Sequence, residues 1–358
     1  MKLNIHLVTW NGSKYIEYLF DSLRKQTFRD FKLVILDNGS TDDTVEKIKI
    51  EIKSMPIECE LIEGKENLGF SGGHNKLFEG IRNKEQGENE YVLLLNQDMY
   101  LMPDCLEKLV QFMDSHDDVA VVSPRLMRWN IDFTDLKKDF TERLEQSFSN
   151  KIDTLGLKVL RNRRVIEKYT GKDWDDKKSK LELSHHTVDE AMEVFGVSGA
   201  FPMLRKNVID KVGLFDELYF LYKEDVDLAY RLRIAGYKAF VLLDTVAYHD
   251  RSAEGLEKKG DMVAMANKKK QSSWVKYHSY KNHLMTLYKN EYWQNYLLDL
   301  LWIKWYELKK FVYFLIFDRS VLKGLGEIWK NRKDLKIKRL KIKEMRKVSW
   351  REMRRWWI

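Results

Sequence analysis

Over residues 3–122 the chain alternates short apolar runs with runs whose apolar side chains recur at helical spacing, and that alternation admits few folds. Strand-like runs fall at 3–9, 31–36, 59–62, 91–95 and 119–122. Between them, 14–25 sets Ile16, Leu19, Phe20 and Leu23 on one helical face, and 42–53 follows Ser40 or Thr41 as a cap, with an acidic first turn suited to the helix dipole. Pro103 stands where the first turn of a further helix begins. This β-α-β-α order predicts an α/β class with a mostly parallel central sheet flanked by helices. The run 91–95 is nearly all apolar, which predicts a strand buried on both faces.

In an open sheet of this kind, ligands bind beyond the carboxyl ends of the strands. Three polar clusters stand at such ends: Thr9-Trp10-Asn11, Asp37-Asn38-Gly39-Ser40 and Asn96-Gln97-Asp98. Each alone reads equally well as a turn, because Asn, Asp and Gly are ordinary turn formers. Three on one edge supply what a nucleotide diphosphate needs: amides and carboxylates for base and ribose, and a metal or cations for the phosphates. Asp98 is the candidate metal ligand, since it follows the most apolar strand, where a charge needs an exposed edge or a partner. Mg²⁺ or Mn²⁺ takes few protein oxygens and completes its shell with diphosphate oxygens and water. The plainer reading of Asp98 is a turn residue ahead of Pro103. The glycine-rich stretch from Asn67 through Gly72 to Asn75 opens a helix and suits an anion, but it is neither a Walker loop nor a Rossmann fingerprint.

Residues 128–189 break the pattern and read as an insertion that could cover a substrate cleft. Regularity returns at 192–204, followed by helices from 206 and over 224–235, a strand at 239–243, and an all-helical stretch beyond about 268. The chain thus divides into an α/β body over 1–267, carrying the insertion at about 128–190, and a helical extension over 268–358. Glu224, Asp225 and Asp227 crowd a helix start, where acidic residues are commonplace. The apolar stretch 212–221 just before them lays that start against the core, where crowding and desolvation raise a carboxyl pKa and suit a general base. His249, beyond the last strand, can offer a neutral imidazole to the same metal or to a diphosphate.

Charge and cysteine narrow the setting. The net charge is +8, yet residues 323–358 hold 14 Lys or Arg against 4 Asp or Glu. The basicity therefore belongs to the tail and says nothing of the cleft. With tryptophans interleaved, the tail predicts peripheral attachment to an anionic membrane surface; no nucleic-acid module surrounds it. Cys59 and Cys105 stand isolated, without metal spacing, as small core thiols in a reducing compartment. The N-terminus runs straight into a strand without a signal-peptide pattern, and 296–317 is interrupted by charges, so a cytoplasmic protein, peripheral on the inner face of the membrane, is expected.

Together these residues resemble the family 2 inverting glycosyltransferases of the GT-A fold, most closely the rhamnosyltransferase-like branch. The resemblance runs over about residues 3–252, through Val8-Thr9-Trp10-Asn11, Leu36-Asp37-Asn38-Gly39-Ser40-Thr41-Asp42, Asn67-Leu68-Gly69-Phe70 and Leu95-Asn96-Gln97-Asp98. It continues through Gly196-Val197-Ser198-Gly199-Ala200-Phe201, Phe215-Asp216-Glu217, Glu224-Asp225-Val226-Asp227 and His249. It implies a nucleotide-diphosphate sugar donor, dTDP- or UDP-linked, held by Thr9, Asn11, Asp37, Asn38, Asn67, Gly72, Asn75, Asn96 and Gln97. It implies a divalent metal, Mg²⁺ or Mn²⁺, on Asp98 and His249, with Asp225 as base and Glu224 as its helper. It further implies a saccharide or lipid-linked acceptor near Gly199 and Asp227. Asn96 stands where the usual motif has its first carboxylate, which weakens any ribose contact through that residue. A sugar nucleotidyltransferase and an inactive carbohydrate-binding subunit are the alternatives.

Overall fold

The structure is a computed structural model that describes residues 1–84, 90–131, 139–176, 190–250 and 271–357, with 179, 183 and 187–188 between. The expected boundary at 267/268 and the insertion's stretches 132–138 and most of 177–189 lie outside the described residues.

Six strands share one direction: β1 (Leu3–Thr9), β2 (Phe31–Asp37), β3 (Cys59–Glu63), β4 (Tyr91–Asn96), β6 (Val119–Trp129) and β13 (Lys238–His249). The short β12 (Met203–Arg205) runs against both β4 and β6 and joins the two parallel groups into one sheet. β5 (Met99–Leu101), β7 (Phe148–Thr154), β10 (Thr187–Val188) and β11 (Ala191–Glu193) pair around β6 and β13. Two further strands, β8 (Leu157–Val159) and β9 (Val165–Glu167), form a separate hairpin. The carboxyl ends of the long strands therefore meet along a single edge, and the polar clusters lie there.

The apolar run of β4 is divided by its pleat. Leu93 and Leu95 enter one core with Leu3, Leu7 and Phe20, while Val92 and Leu94 enter the other with Phe78, Val208 and Leu228. Helices α1 (Ile16–Arg24), α2 (Thr44–Ile52) and α4 (Cys105–Ser115) cover the first face. Helices α3 (Gly69–Lys84), α6 (Lys206–Val212) and α7 (Glu224–Ile234) cover the second.

The insertion is more regular than expected. β6 continues past Val122 to Trp129, and α5 (Phe140–Ser147), β7 and the β8–β9 hairpin follow. β13 likewise passes the expected end at 243, because an irregularity between Leu242 and Val246 lets it rejoin β6 and reach His249.

The helical extension is built into the body. Helix α8 (Ser273–Asn290) packs on α7, and beyond it lie α9 (Trp293–Leu298), α10 (Leu300–Phe317), α11 (Lys323–Lys330), α12 (Arg332–Glu344) and α13 (Trp350–Arg354). Arg163, fully buried in the β8–β9 turn, pairs with Glu291 at 2.7 Å and Asp299 at 3.0 Å. Arg354 bonds the same Asp299, so insertion and extension share one charge cluster. Leu335, Ile342 and Trp357, expected on a membrane-facing tail, are instead buried: an apolar residue on a basic helix finds a core here, as Trp357 does against Phe195 and Tyr230.

Candidate active site

The wall nearest β1 and β2 is built from hydrogen-bonded turns. The Asp37 carboxylate accepts from Thr9 Oγ1 at 3.1 Å, Ser40 Oγ at 2.5 Å, and the amides of Gly39 at 3.0 Å and Ser40 at 2.9 Å. Asn11 Oδ1 accepts from Thr41 N at 2.8 Å, and Asn38 donates to Gly69 O at 3.1 Å. Asn67 caps the start of α3 by accepting from Gly69 N at 2.8 Å. Gly69 sits at φ +72°, and a Cβ there would lie 2.4 Å from the Phe220 carbonyl, so only glycine lets α3 approach that segment.

Several residues expected to meet a donor are engaged by the chain itself. Gln97 exchanges two hydrogen bonds with the Trp10 backbone, at 3.0 and 3.1 Å. Asn75 does the same with the Phe215 backbone, at 3.0 and 3.1 Å. A Cβ at Gly72 would stand 3.1 Å from Leu68 Cβ, so the glycine eases the entry to α3. Buried Asn38 needs such partners, and with Asn11, Asn67, Asn75 and Gln97 it fixes the shape of the walls through these hydrogen bonds.

On the other side of β4, His249 Nε2 lies 3.5 Å from Asp98 Oδ2, and Asp250 N donates to Asp98 O at 3.0 Å. The other imidazole nitrogen, Nδ1, is 2.9 Å from Asp153 Oδ2. Burial alone would depress the His249 pKa; Asp98 and Asp153 outweigh it and push it up to about 10. Asp153 is itself fully buried in β7. A metal-bound histidine commonly rests its second nitrogen on such a carboxylate. No group of three or more His, Cys, Asp or Glu converges as a closed metal cage among the described residues. A pair of protein ligands leaves room for diphosphate oxygens, as a hard cation requires.

The third part is the start of α7. Gly199 N donates to Asp225 Oδ2 at 3.3 Å, and Asn96 N donates to Ala200 O at 3.1 Å. The 199–200 segment therefore joins the end of β4, two residues before Asp98, to Asp225. A small recess of about 20 Å³ lined by Gly199, Phe215 and Asp225 adjoins it. Burial, and then the neighbouring Asp225, push Glu224 up to about 8. Asp225 is raised by burial, against Lys223, with Glu167 adding to the rise. Glu224 Oε2 is buried with no hydrogen-bond partner among the described residues. Such a pair holds close to one proton near neutral pH and can take another from a hydroxyl.

The residues before this helix are strained. Tyr222 and Lys223 adopt φ of +71° and +72°, a region that non-glycine residues seldom occupy. Asn282, buried on α8, donates to Leu221 O at 3.0 Å and Tyr222 O at 2.7 Å and holds them there. Asp227 departs from the expected acceptor contact. It is 1% exposed, and its carboxylate pairs with Arg231 at 3.0 Å and Lys289 at 3.0 Å and accepts from Asn290 at 2.8 Å. Its partners weld α7 to α8. Asp153 and Asn282 are the residues that sequence reasoning missed, and neither stands in a motif or at a telling spacing.

Comparison with known proteins follows this geometry. The sequence pattern described as "Glycosyl transferase family 2" matches residues 5–213. TarS of Staphylococcus aureus, a poly(ribitol-phosphate) beta-N-acetylglucosaminyltransferase, is 32% identical over 127 residues, covering 34% of this chain and 21% of TarS. This chain thus spans about a fifth of that relative's length. An N-acetylglucosaminyl-diphospho-decaprenol L-rhamnosyltransferase of Mycobacterium tuberculosis is 23% identical over 269 residues, 73% of this chain and 80% of that protein. Among solved structures, GalNAc-T7 with UDP, GalNAc and Mn²⁺ aligns with a TM-score of 0.56 at 13% identity, over 81% of this chain and 48% of that one. S. aureus TarS 1–349 with UDP-GlcNAc aligns at 0.52 and 16% identity, over 96% and 89%. The structural likenesses establish the GT-A fold.

Proposed function

The chain belongs to glycosyl transferase family 2, and from that premise we propose an inverting, metal-dependent transfer of a sugar from a nucleotide-diphosphate donor to a saccharide or lipid-linked acceptor. The setting is cell-surface polysaccharide synthesis. The observation that carries the reading is the 199–200 bridge, which puts the Asp225 carboxylate beside the strand end that bears Asp98. Thr9 and Asp37 hold the base and ribose end of the donor. Asp98 and His249 fit a divalent cation, Mg²⁺ or Mn²⁺, with Asp153 orienting the imidazole. When bound, such a cation neutralises negative charge on a departing diphosphate.

Asp225 removes the proton from the acceptor hydroxyl as it attacks the anomeric carbon from the face opposite the leaving group, so the configuration inverts. General-base catalysis of this kind contributes roughly 10²–10⁴-fold. Glu224, protonated near neutral pH, donates from its carboxyl to an acceptor oxygen. The mycobacterial relative transfers rhamnose to a lipid diphosphate-linked sugar, and this supports a rhamnose donor and an acceptor at the membrane, reached through the helical extension. TarS solved with UDP-GlcNAc supports UDP-GlcNAc as the second donor to test.

The test is a panel of dTDP- and UDP-sugars with Mn²⁺, read first as thermal stabilisation and then as transfer, with product configuration determined by NMR. One donor should stabilise the chain and give an inverted product. A retained anomeric configuration would contradict the single displacement at Asp225.

A further inference from the structure

Helix α10 is amphipathic in the inverted sense. Its inward face carries Glu307 and Lys310, with Glu307 Oε1 2.8 Å from His283 and 3.5 Å from Lys310, alongside buried Ile303, Tyr313 and Phe314. Its outward face carries Leu301, Trp305, Leu308, Val312, Leu315 and Ile316, all exposed, with Leu301 at 76% and Ile316 at 64%. That spacing is one continuous stripe on a helix about 27 Å long. Soluble surfaces seldom leave such a stripe open unless it meets a partner.

We infer that this stripe is the membrane-docking face of the protein, lying flat in the interface of an anionic lipid bilayer; the inference rests on the proposed membrane setting and moves the contact from the basic tail to α10. Lys304 and Lys309 sit about 70° to either side of the stripe at 100° per residue. Long basic side chains at those flanks reach back to lipid headgroups while the stripe enters the acyl boundary. Trp293, Trp302 and Trp305 are exposed on α9 and the first turns of α10, and tryptophan favours that boundary. No helix of the described residues is long and apolar enough to cross a membrane, and the side of α10 that carries Ile303, Lys310 and Phe314 is docked on the protein, which leaves a surface-lying helix.

Charge selects lipid over a second copy of the chain. A two-fold pairing of this face would set Lys304 and Lys309 against the same residues of the other copy. The neighbouring segment 323–358, with its 14 basic and 4 acidic residues, would add to that repulsion or, at an anionic leaflet, to attraction.

The experiment is flotation of the full chain with vesicles of phosphatidylcholine and phosphatidylglycerol, and of phosphatidylcholine alone. It compares wild type, the triple variant Leu301→Gln/Trp305→Gln/Leu308→Gln, and Trp305→Phe. The wild type and Trp305→Phe should float with the anionic vesicles, and the triple variant should lose more than about tenfold in partition at an unchanged melting temperature. Equal flotation of the triple variant would overturn the α10 assignment and leave membrane attachment to the basic tail. A wild type that never floats would remove the membrane setting altogether without touching the transfer chemistry. A concentration-dependent dimer that the triple variant abolishes would assign the stripe to a second copy and overturn the proposal.

Discussion

The Asn282→Ala variant tests whether the helical extension controls Glu224 and Asp225, the carboxylates proposed to act on the acceptor. The change removes the amide that reaches Leu221 O at 3.0 Å and Tyr222 O at 2.7 Å. Each carbonyl left without a partner in a buried setting costs about 1–3 kcal/mol. Tyr222 and Lys223, at φ +71° and +72°, each store a further 1–3 kcal/mol or so of backbone strain that the clamp offsets. With the clamp gone, the segment relaxes; a shift of about 2 kcal/mol lowers the population of the presented conformation roughly 30-fold. Steady-state transfer with the donor selected by the nucleotide-sugar panel should show turnover reduced by about that factor. Donor affinity should be unchanged, because Thr9 and Asp37 lie on β1 and β2. Asn282→Asp keeps the shape but points a carboxylate at two carbonyls, and should be worse than alanine. Wild-type turnover in folded Asn282→Ala, or a better Asn282→Asp, would refute the reasoning.

Asp227→Ala should lower stability by about 3–5 kcal/mol in chemical denaturation, since it leaves buried Arg231 without its carboxylate and Lys289 with Asp216 alone; unchanged stability with a raised acceptor KM would restore the acceptor role. Asp153→Asn should weaken Mn²⁺-dependent stabilisation of the nucleotide-bound chain roughly 10–100-fold by loosening His249; unaltered Mn²⁺ dependence would remove Asp153 from the site. Burial raises the Asp216 carboxyl, but Lys289 and Lys338 outweigh it and hold it at about 2. A depressed carboxyl stabilises the fold above its unfolded pKa of about 3.9 and loses that stabilisation as pH falls through the folded value. The Lys338→Met variant should therefore melt below wild type at pH 7, with the gap narrowing from pH 4 to 2; a constant gap would contradict the ion pair.

The sequence carries the first half of the fold plainly because each signal there is local. The runs at 3–9, 31–36 and 91–95 are apolar enough to be strands, and each ends on polar residues that the parallel register then aligns. The rest depends on long-range pairing. Asp153 is one acid among many in a polar segment until β7 pairs with β6 and brings it under His249. The strand-like run stops at Val122, yet β6 runs on to Trp129 because β7 and β13 flank it. Helix α8 carries Lys281, Asn282, His283, Thr286 and Lys289 on buried positions. Lys281, Asn282 and Lys289 are buried because the 215–227 segment takes their hydrogen bonds, and His283 because it pairs with Glu307, which no periodicity in α8 reveals. The tail tryptophans mislead in the opposite sense, since Trp356 and Trp357 pack on Phe195.

The division of labour between Asp98 and Asp225 is the centre of the account, and paired titrations of UDP and dTDP in Mn²⁺ followed by transfer assays test it most directly. Asp225→Asn should bind the nucleotide as wild type does while transfer falls at least about 100-fold, and Asp98→Ala should lose the Mn²⁺-dependent part of nucleotide binding. Wild-type transfer by Asp225→Asn, or unchanged Mn²⁺-dependent binding by Asp98→Ala, would contradict it.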